Sequence, residues 1–354
     1  MGRKKLEPLV NPLEQSKKMP TFEERYEESL RKQLLEGIAK ETDDDEDSEY
    51  YEETRTLKHQ KRDGDWDVLE DDEIFYFDPE LSYALTGYRP ITMTEGLDFD
   101  PKPFNEAART FEEKGYYTSY KRNSKPYKEF WREQKRRCVE GYTVGKYRVT
   151  GDHYFFLNFY RMQTVNIDAT KKTTGRGQSF PSFLSKQYEF FHYLELCEYI
   201  GKDIVMLKAR GLGFSEMLAC LGARPFITTR EFTTMYTAFA DNQLEPVLDK
   251  CWTQLDWLNL NTDGGMKRSR MKVNNAKEKR ASLLTKDNIE YGMMSSIKGV
   301  VADNPRKVRG ERVERLIFEE AGSNIVLDTS WIQGNALVEL GGMKVGTRFA
   351  GGTG

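Results

Sequence analysis

The chain has 354 residues, enough for one large domain or two smaller ones, and its 54 basic and 57 acidic side chains give a formal net charge of -3. Its four cysteines contain no CxxC pair and it has only three histidines, which argues against a zinc site and predicts reduced thiols in the core. No run approaches the roughly 18 to 20 apolar residues that cross a bilayer, so we expect a soluble, intracellular protein without a membrane partner.

The charges of the N-terminal part are segregated along the chain. Residues 1–70 are polar and hold nine acidic and no basic residues between Glu41 and Glu53, which predicts a partly disordered segment. Residues 71–150 combine short aromatic and Pro/Gly segments with a basic stretch, Lys114 to Arg137, that is expected to be helical in part. We expect this region to be an irregular arm or lid that packs on a core formed by residues 151–354.

The start of the core is rich in apolar side chains. The aromatic stretch from Tyr147 to Val165 predicts a strand or buried packing, and Thr170 to Ser179 reads as a loop. Apolar residues at three- and four-residue spacing then predict a helix that starts near Phe183 and ends near Gly201.

Strand and helix patterns alternate over the rest of the chain. The predicted elements are strands at 203–208, 233–239, 289–294, 313–318 and 343–350, and helices at 214–222 and 242–258. This alternation predicts βαβ units and an α/β fold with a mostly parallel sheet flanked by helices.

The turn after the strand at 203–208 has the composition of a phosphate-binding loop. Such a loop needs glycines that let backbone N–H groups face phosphate oxygens, a cation, and a hydroxyl for Mg²⁺. Gly211, Gly213 and Ser215 meet two of these needs, but Phe214 stands where the pattern G-x-x-x-x-G-K-[ST] has its lysine. The cation can come from Lys208 at the strand end or from Arg210, and an ordinary strand-to-helix turn is the alternative interpretation.

Two adjacent carboxylates end a later strand. Val313 to Phe318 is followed by Glu319 and Glu320, of which the first can hold Mg²⁺ and the second can orient or activate an attacking water. Ligands of open parallel sheets bind at the carboxyl ends of strands, which is where both the loop and this pair fall. A solvated acidic strand end is the alternative.

In this order the motifs resemble those of the large terminase subunits of tailed bacteriophages, which package DNA into proheads. Lys208 to Ser215 resembles the deviant Walker A motif of that family, with the lysine displaced to the start of the loop and an aromatic residue in its usual place. Leu316 to Glu320 resembles the Walker B strand, although Glu319 stands where aspartate is usual. The resemblance covers residues 180–354 and implies a P-loop NTPase of the glutamate-switch, RecA/ASCE-like type with an irregular N-terminal extension.

The resemblance also implies roles for single residues. Gln187 matches an adenine-recognising glutamine, Thr353 lies in a Gly-Thr-Gly coupling motif, and Arg309 lies in a segment that supplies DNA-contacting or finger arginines. Ser215 and Glu319 would hold Mg²⁺, and the implied catalytic residues are Glu320, Lys208, Arg210 and Arg309. The implied nucleotide-binding residues are Gln187, Lys208, Ala209, Arg210, Gly211, Leu212, Gly213, Phe214, Ser215 and Thr353.

The implied activity is ATP hydrolysis, with Mg²⁺, coupled to translocation of double-stranded DNA into a viral prohead. The implied partners are DNA, the portal protein, the small terminase subunit and further copies of the chain in a ring, in the host cytoplasm. Basic stretches at 263–280 and 298–315 suit contact with the DNA backbone. Family members continue into a nuclease domain, so we expect this chain to be a fragment without nuclease activity.

Two other functions stay open from the sequence. A helicase-like nucleic-acid translocase would share the loop and the double acid, but is expected to carry further helicase motifs and a second such domain. A capsid-assembly protein that keeps a degenerate nucleotide fold would not be an enzyme, and the deviant loop favours it.

Overall fold

The computed structural model describes residues 100–353 except 146, 169–172, 209, 210, 212 and 268. The predicted acidic segment, the first part of the arm, and the loop residues Ala209, Arg210 and Leu212 lie outside the described residues. The described helices are α1 (Glu106–Lys114), α2 (Lys125–Glu140), α3 (Gly151–Phe159), α4 (Ser185–Ile200), α5 (Phe214–Thr228), α6 (Asp241–Asn261) and α7 (Leu327–Val338).

The strands group into one large sheet and three small hairpins. Those of the hairpins are β1 (Tyr142–Val144), β2 (Tyr147–Val149), β3 (Met162–Asp168), β4 (Thr173–Ser179), β11 (Glu339–Leu340) and β12 (Met343–Lys344). Those of the large sheet are β5 (Ile204–Leu207), β6 (Thr233–Ala238), β7 (Val273–Asn274), β8 (Glu278–Leu284), β9 (Glu290–Val301), β10 (Arg315–Glu319) and β13 (Thr347–Gly352).

The large sheet has seven strands in the order β5-β13-β10-β6-β9-β8-β7. The first five are parallel to one another, and β8 and β7 extend one side as an antiparallel meander. The predicted α/β fold with a mostly parallel sheet is therefore confirmed. Because the five strands run in the same direction, the residues that follow β5, β13, β10 and β6 meet at one edge of the sheet.

Both faces of the sheet are buried. Along β10, Ile317 belongs to one apolar cluster, whereas its neighbours Leu316 and Phe318 belong to the other. The larger cluster joins this face to α3, α4, α5 and α6, and the smaller one lies under α7. Successive residues of a strand point to opposite faces, so the continuous apolar run of β10 is what a strand covered on both sides requires.

The first described helices pack into the same core. Phe104, Trp131 of α2 and Phe159 of α3 lie in the larger cluster, and every residue of α3 is buried. Of the two predictions for the stretch from Tyr147, buried packing is confirmed and a continuous strand is wrong, because residues 151–159 are helical. Thr150 begins this helix by accepting a hydrogen bond from the backbone N–H of His153, a capping signal that the run of aromatic residues hides.

Three other predictions need correction. The expected loop at 170–179 contains β4, which pairs with β3 as an antiparallel hairpin. The helix α5 does not end at Gly222 but continues to Thr228. Gly222 is instead a packing position, because a Cβ atom there would lie 2.5 Å from the hydroxyl oxygen of Tyr236. The strand β8 and the helix α7 are not among the predicted elements.

The four cysteines are free and buried, as predicted. Burial raises the pKa of each thiol, and the value for Cys197 is about 12. Within the described part of the chain, no helix is both long enough and apolar enough to cross a membrane.

A buried ion network ties four elements together at the amino end of β10. Asp152 of α3 accepts hydrogen bonds from Arg224 of α5 and from Arg315 of β10, whose Nη2 lies 2.7 Å from Oδ2. The same Arg315 guanidinium donates to Glu198 of α4 at 2.6 and 3.0 Å. Asp152, Arg224 and Arg315 are all buried. Two carboxylates thus face two guanidinium groups, a balance that buried charge requires.

We expect Asp152→Asn to lower the free energy of unfolding by about 3–5 kcal/mol, because it leaves buried arginines without their counter-charge. Burial acts to raise the pKa of Asp152, but Arg224 and Arg315 outweigh it and hold the pKa below its ordinary value. The folded pKa therefore lies below the unfolded value of about 3.9. Ionised Asp152 stabilises the fold above that pH, and this contribution is lost as the pH falls below about 4.

Urea titrations at pH 7 and at about pH 3 measure both effects. The difference in the free energy of unfolding between the wild type and Asp152→Asn should be smaller at the lower pH. As a control, Asp303→Asn removes the exposed pair with Lys307 and should leave stability unchanged. Equal stability of wild type and Asp152→Asn at pH 7 would show that the network does not hold these elements together.

Candidate functional site

The strand-loop-helix predicted to bind phosphate is present. The strand β5 ends at Leu207, and α5 begins at Phe214. Gly211 and Gly213 have φ angles of +85° and +70°, a region that glycine enters without strain. The first-turn N–H groups of a helix have no partner within the helix, so this N-terminus offers donors and a positive dipole end to an anion.

Lys208 crosses from the end of β5 to the end of β10. Its backbone N–H donates to the carbonyl of Gly352 at 3.0 Å, which extends the parallel pairing of β5 with β13 by one residue. Its Nζ donates to Oε1 of Glu320 at 2.8 Å and lies 5.1 Å from the ring centre of Phe214. The strand-end lysine is thus in contact with the second carboxylate of the pair.

The aromatic residue in the place of the usual lysine is part of the core. Phe214 is 4% exposed, and its ring lies 6.0 Å from the rings of both Phe190 and Phe349, centre to centre. A Cβ atom on Gly351 would lie 2.5 Å from its Cζ, so the ring occupies space that only a glycine in β13 leaves open.

Glu319 is linked to the loop through Ser215. The hydroxyl of Ser215 donates to Oε1 of Glu319 at 2.7 Å across 104 residues of sequence. The Glu319 side chain is buried, and its Oε2 has no hydrogen-bond partner among the described residues. Burial raises the pKa of this carboxyl, although the Ser215 hydrogen bond and the charge of Lys208 act to lower it. An unsatisfied buried carboxylate oxygen beside a hydroxyl is a donor set that fits a hard divalent cation.

Glu320 is held from two sides. Oε1 accepts from Lys208, and Oε2 accepts from Thr353, whose hydroxyl and backbone N–H lie 3.2 and 3.4 Å away. Burial acts to raise its pKa, but Lys208 outweighs burial and the pKa is lowered, so the group is a carboxylate at neutral pH. Its φ of +47° is unusual for a residue with a side chain and turns the chain away from β10.

These groups surround a cleft of about 690 Å³, within the range of small-molecule sites. The cleft also receives side chains from β3 and α6 that sequence reasoning missed. Its described lining residues are Met162, Gln163, Lys208, Gly211, Gly213, Phe214, Ser215, Glu216, Gln243, Lys250, Glu320, Ser323 and Thr353.

The other predicted residues have three different outcomes. Gln187 is buried beside the loop, with its Nε2 3.6 Å from the position of a Cβ on Gly213. Arg309 is exposed, follows the 3₁₀ turn Pro305–Lys307, and does not line the cleft. Ala209, Arg210 and Leu212 lie outside the described residues.

Comparison with known proteins gives few matches. No protein-family model matches the chain, and no curated protein does. Among solved structures the chain is similar to the large terminase ATPase domain of Thermus phage P74-26, at 12% identity and a TM-score of 0.32 over 42% of this chain and 58% of that one.

Two further structures show similar values. The large terminase of bacteriophage HK97 gives 12% identity and a TM-score of 0.35 over 49% of this chain. The large terminase of a thermophilic bacteriophage, in complex with ADP, gives 13% identity and a TM-score of 0.25 over 42% of this chain. The chain spans 33% of the length of each of these two chains. The likeness is too weak to assign a function to this chain.

Restoring the consensus lysine should harm the protein. We expect Phe214→Lys to lower the free energy of unfolding by about 3 kcal/mol or more, because it removes a ring from a filled core and buries an amine. Phe214→Leu, which stays apolar, is the control and should lose less. Chemical unfolding measures both. If Phe214→Lys were as stable as the wild type, the ring at this position would not be part of the packed core.

Proposed function

We propose that this chain is an ATP-hydrolysing motor core of the P-loop NTPase type, with residues 151–354 as its catalytic unit. The observation that carries the proposal is the pair of contacts Ser215–Glu319 and Lys208–Glu320. They join a glycine loop at a helix N-terminus to two strand-end carboxylates from more than 100 residues away. That combination supplies anion donors, a metal ligand set and a water-orienting carboxylate in one cleft.

Each residue of the cleft has its own role in this proposal. Gly211 and Gly213 let backbone N–H groups reach the β- and γ-phosphates, with Lys208 and Arg210 as counter-charges. Ser215 and Glu319 would hold Mg²⁺, which neutralises phosphate charge when bound. The proximity of Gln187 to the loop supports a place beside the nucleotide base.

Glu320 is proposed to orient the attacking water. Its lowered pKa keeps it ionised, so it can accept a hydrogen bond from water. In this structure the Lys208 ammonium group neutralises Glu320, and a γ-phosphate would compete with Glu320 for that ammonium group. Thr353, which also binds Glu320, is placed to sense that exchange and to pass it on beyond β13.

The proposed work of the motor is translocation of double-stranded DNA into a viral prohead, as a ring docked on the portal with the small terminase subunit. Many basic residues of the two basic stretches are already paired with acids; the pairs include Lys272–Glu290, Lys277–Asp241, Arg280–Glu290 and Lys298–Glu311. Contact with the DNA backbone is therefore assigned to exposed cations without a side-chain partner in the described part of the chain: Lys267, Arg270, Arg306 and Arg309. Arg309 is also the candidate for a finger that completes a neighbouring subunit's site.

Glu320→Gln tests the enzymatic role. We expect ATP turnover to fall by about 100-fold or more while nucleotide binding remains, because the amide cannot act as a base. Phosphate release and a separate binding titration measure the two properties. Glu112→Gln, on the exposed side of α1, is the matched control and should turn over ATP normally. Turnover by the wild type that does not exceed that of Glu320→Gln would rule out an ATPase.

The DNA-binding role predicts a specific salt dependence. Affinity for double-stranded DNA should fall steeply with salt, and Arg309→Ala should reduce the slope of log K against log salt by about 0.9. Lys277→Ala is the control, because Asp241 already neutralises this lysine, and it should change the slope less. A flat salt dependence in the wild type would remove DNA phosphate contact from the proposal.

A further inference from the structure

The cleft contains a second lysine besides Lys208. Lys250 lies on α6, half-buried, and lines the cleft together with Lys208. Lys208 is bound to Glu320, whereas Lys250 forms no hydrogen bond or ion pair within the described ranges. An amine that lines a cleft without a direct ion pair is available to an incoming anion.

The charges around Lys250 show why a polyphosphate would need it. Glu216, directly after Ser215 on α5, is buried, and its Oε2 accepts a hydrogen bond from the hydroxyl of Tyr160 at 2.8 Å. Burial raises the pKa of Glu216, and the charge of Lys250 acts to lower it, as it also does for Glu319. Lys250 therefore lies within electrostatic reach of both Glu216 and Glu319.

Among the described residues, the cleft is otherwise poor in positive charge. Its described lining residues include two lysines and two glutamates, and Glu319 lies directly behind Ser215. A nucleoside triphosphate adds several negative charges to this set. Lys208 is already bound to Glu320, so a further cation besides Arg210 and a metal ion would help to neutralise the phosphates.

We propose that Lys250 binds a phosphate oxygen of the nucleotide, as a second cation supplied by α6 of the same chain. The inference rests on the proposed ATP site and adds a residue to it. α6 follows β6, whose carboxyl end neighbours that of β10, so this cation reaches the phosphates from the side of the cleft opposite β5. The nucleotide would then lie between Lys208 on the β5 side and Lys250 on the α6 side.

The experiment measures the affinity of the full chain for Mg·ATPγS and Mg·ADP. Lys250→Met should weaken binding of Mg·ATPγS by about ten-fold or more, because it removes a charge-assisted hydrogen bond in a half-buried site. Lys250→Arg should recover part of the loss. Lys286→Met, in the exposed turn between β8 and β9, is the matched control and should bind as the wild type does. Thermal unfolding of each variant checks that the fold is intact.

A double variant separates phosphate contact from mere neutralisation of Glu216. If Lys250 binds phosphate, Glu216→Gln combined with Lys250→Met stays weak in binding. Recovery of wild-type affinity in the double variant would overturn the inference, since Lys250 would then serve only as a counter-charge for Glu216.

Failure of the inference and failure of the proposed function give different results. A wild type that binds and hydrolyses ATP, with Lys250→Met unchanged in affinity, overturns the role of Lys250 alone. A wild type that binds no nucleotide overturns both. Binding that is lost in Ser215→Ala and unchanged in Lys250→Met would leave the phosphate site in place without the second lysine.

Discussion

The cleft depends on a steric constraint at the end of β13. A Cβ atom on Gly352 would lie 2.9 Å from the backbone nitrogen of Ala321, and one on Gly351 would overlap the ring of Phe214. Since β13 lies between β5 and β10, the ends of those strands are about 10 Å apart. Lys208 and Glu320 bridge that gap, and the two glycines leave room for the Phe214 ring and for the backbone of Glu320 and Ala321.

The strand that carries both carboxylates is fixed at its two ends by different means. At the amino end, Arg315 is locked into the buried network with Asp152 and Glu198. At the carboxyl end, Glu319 is tied to Ser215 and Glu320 to Lys208. Because both ends of β10 are fixed by contacts with other elements, we expect the response to a nucleotide to lie in the side chains and in the residues after Glu320.

The sequence predicts what is local and misses what depends on strand order. The strand, the glycine turn and the helix start at Phe214 follow from spacing, and the double acid follows from its place after an apolar run. Lys250 gives no such signal, because a lysine on a long helix is ordinary and only the neighbouring positions of β6 and β10 bring it to the cleft. The prediction that a helix ends at Gly222 was wrong for a related reason. The glycine is needed because Tyr236, distant in sequence, packs against it, and it does not end the helix.

The two departures of the loop from the consensus are one structural change. A lysine at the start of the loop reaches Glu320 across the glycines of β13, and its Nζ lies 5.1 Å from the centre of the Phe214 ring. Position 214, where the consensus has its lysine, faces Phe190 and Phe349 and is filled by an aromatic ring. That ring in turn requires Gly351. Loss of Lys208 would leave Glu320 without its counter-charge, and a smaller residue at 214 would leave a gap in the core. A side chain at 351 would overlap the ring of Phe214, so positions 214 and 351 are coupled.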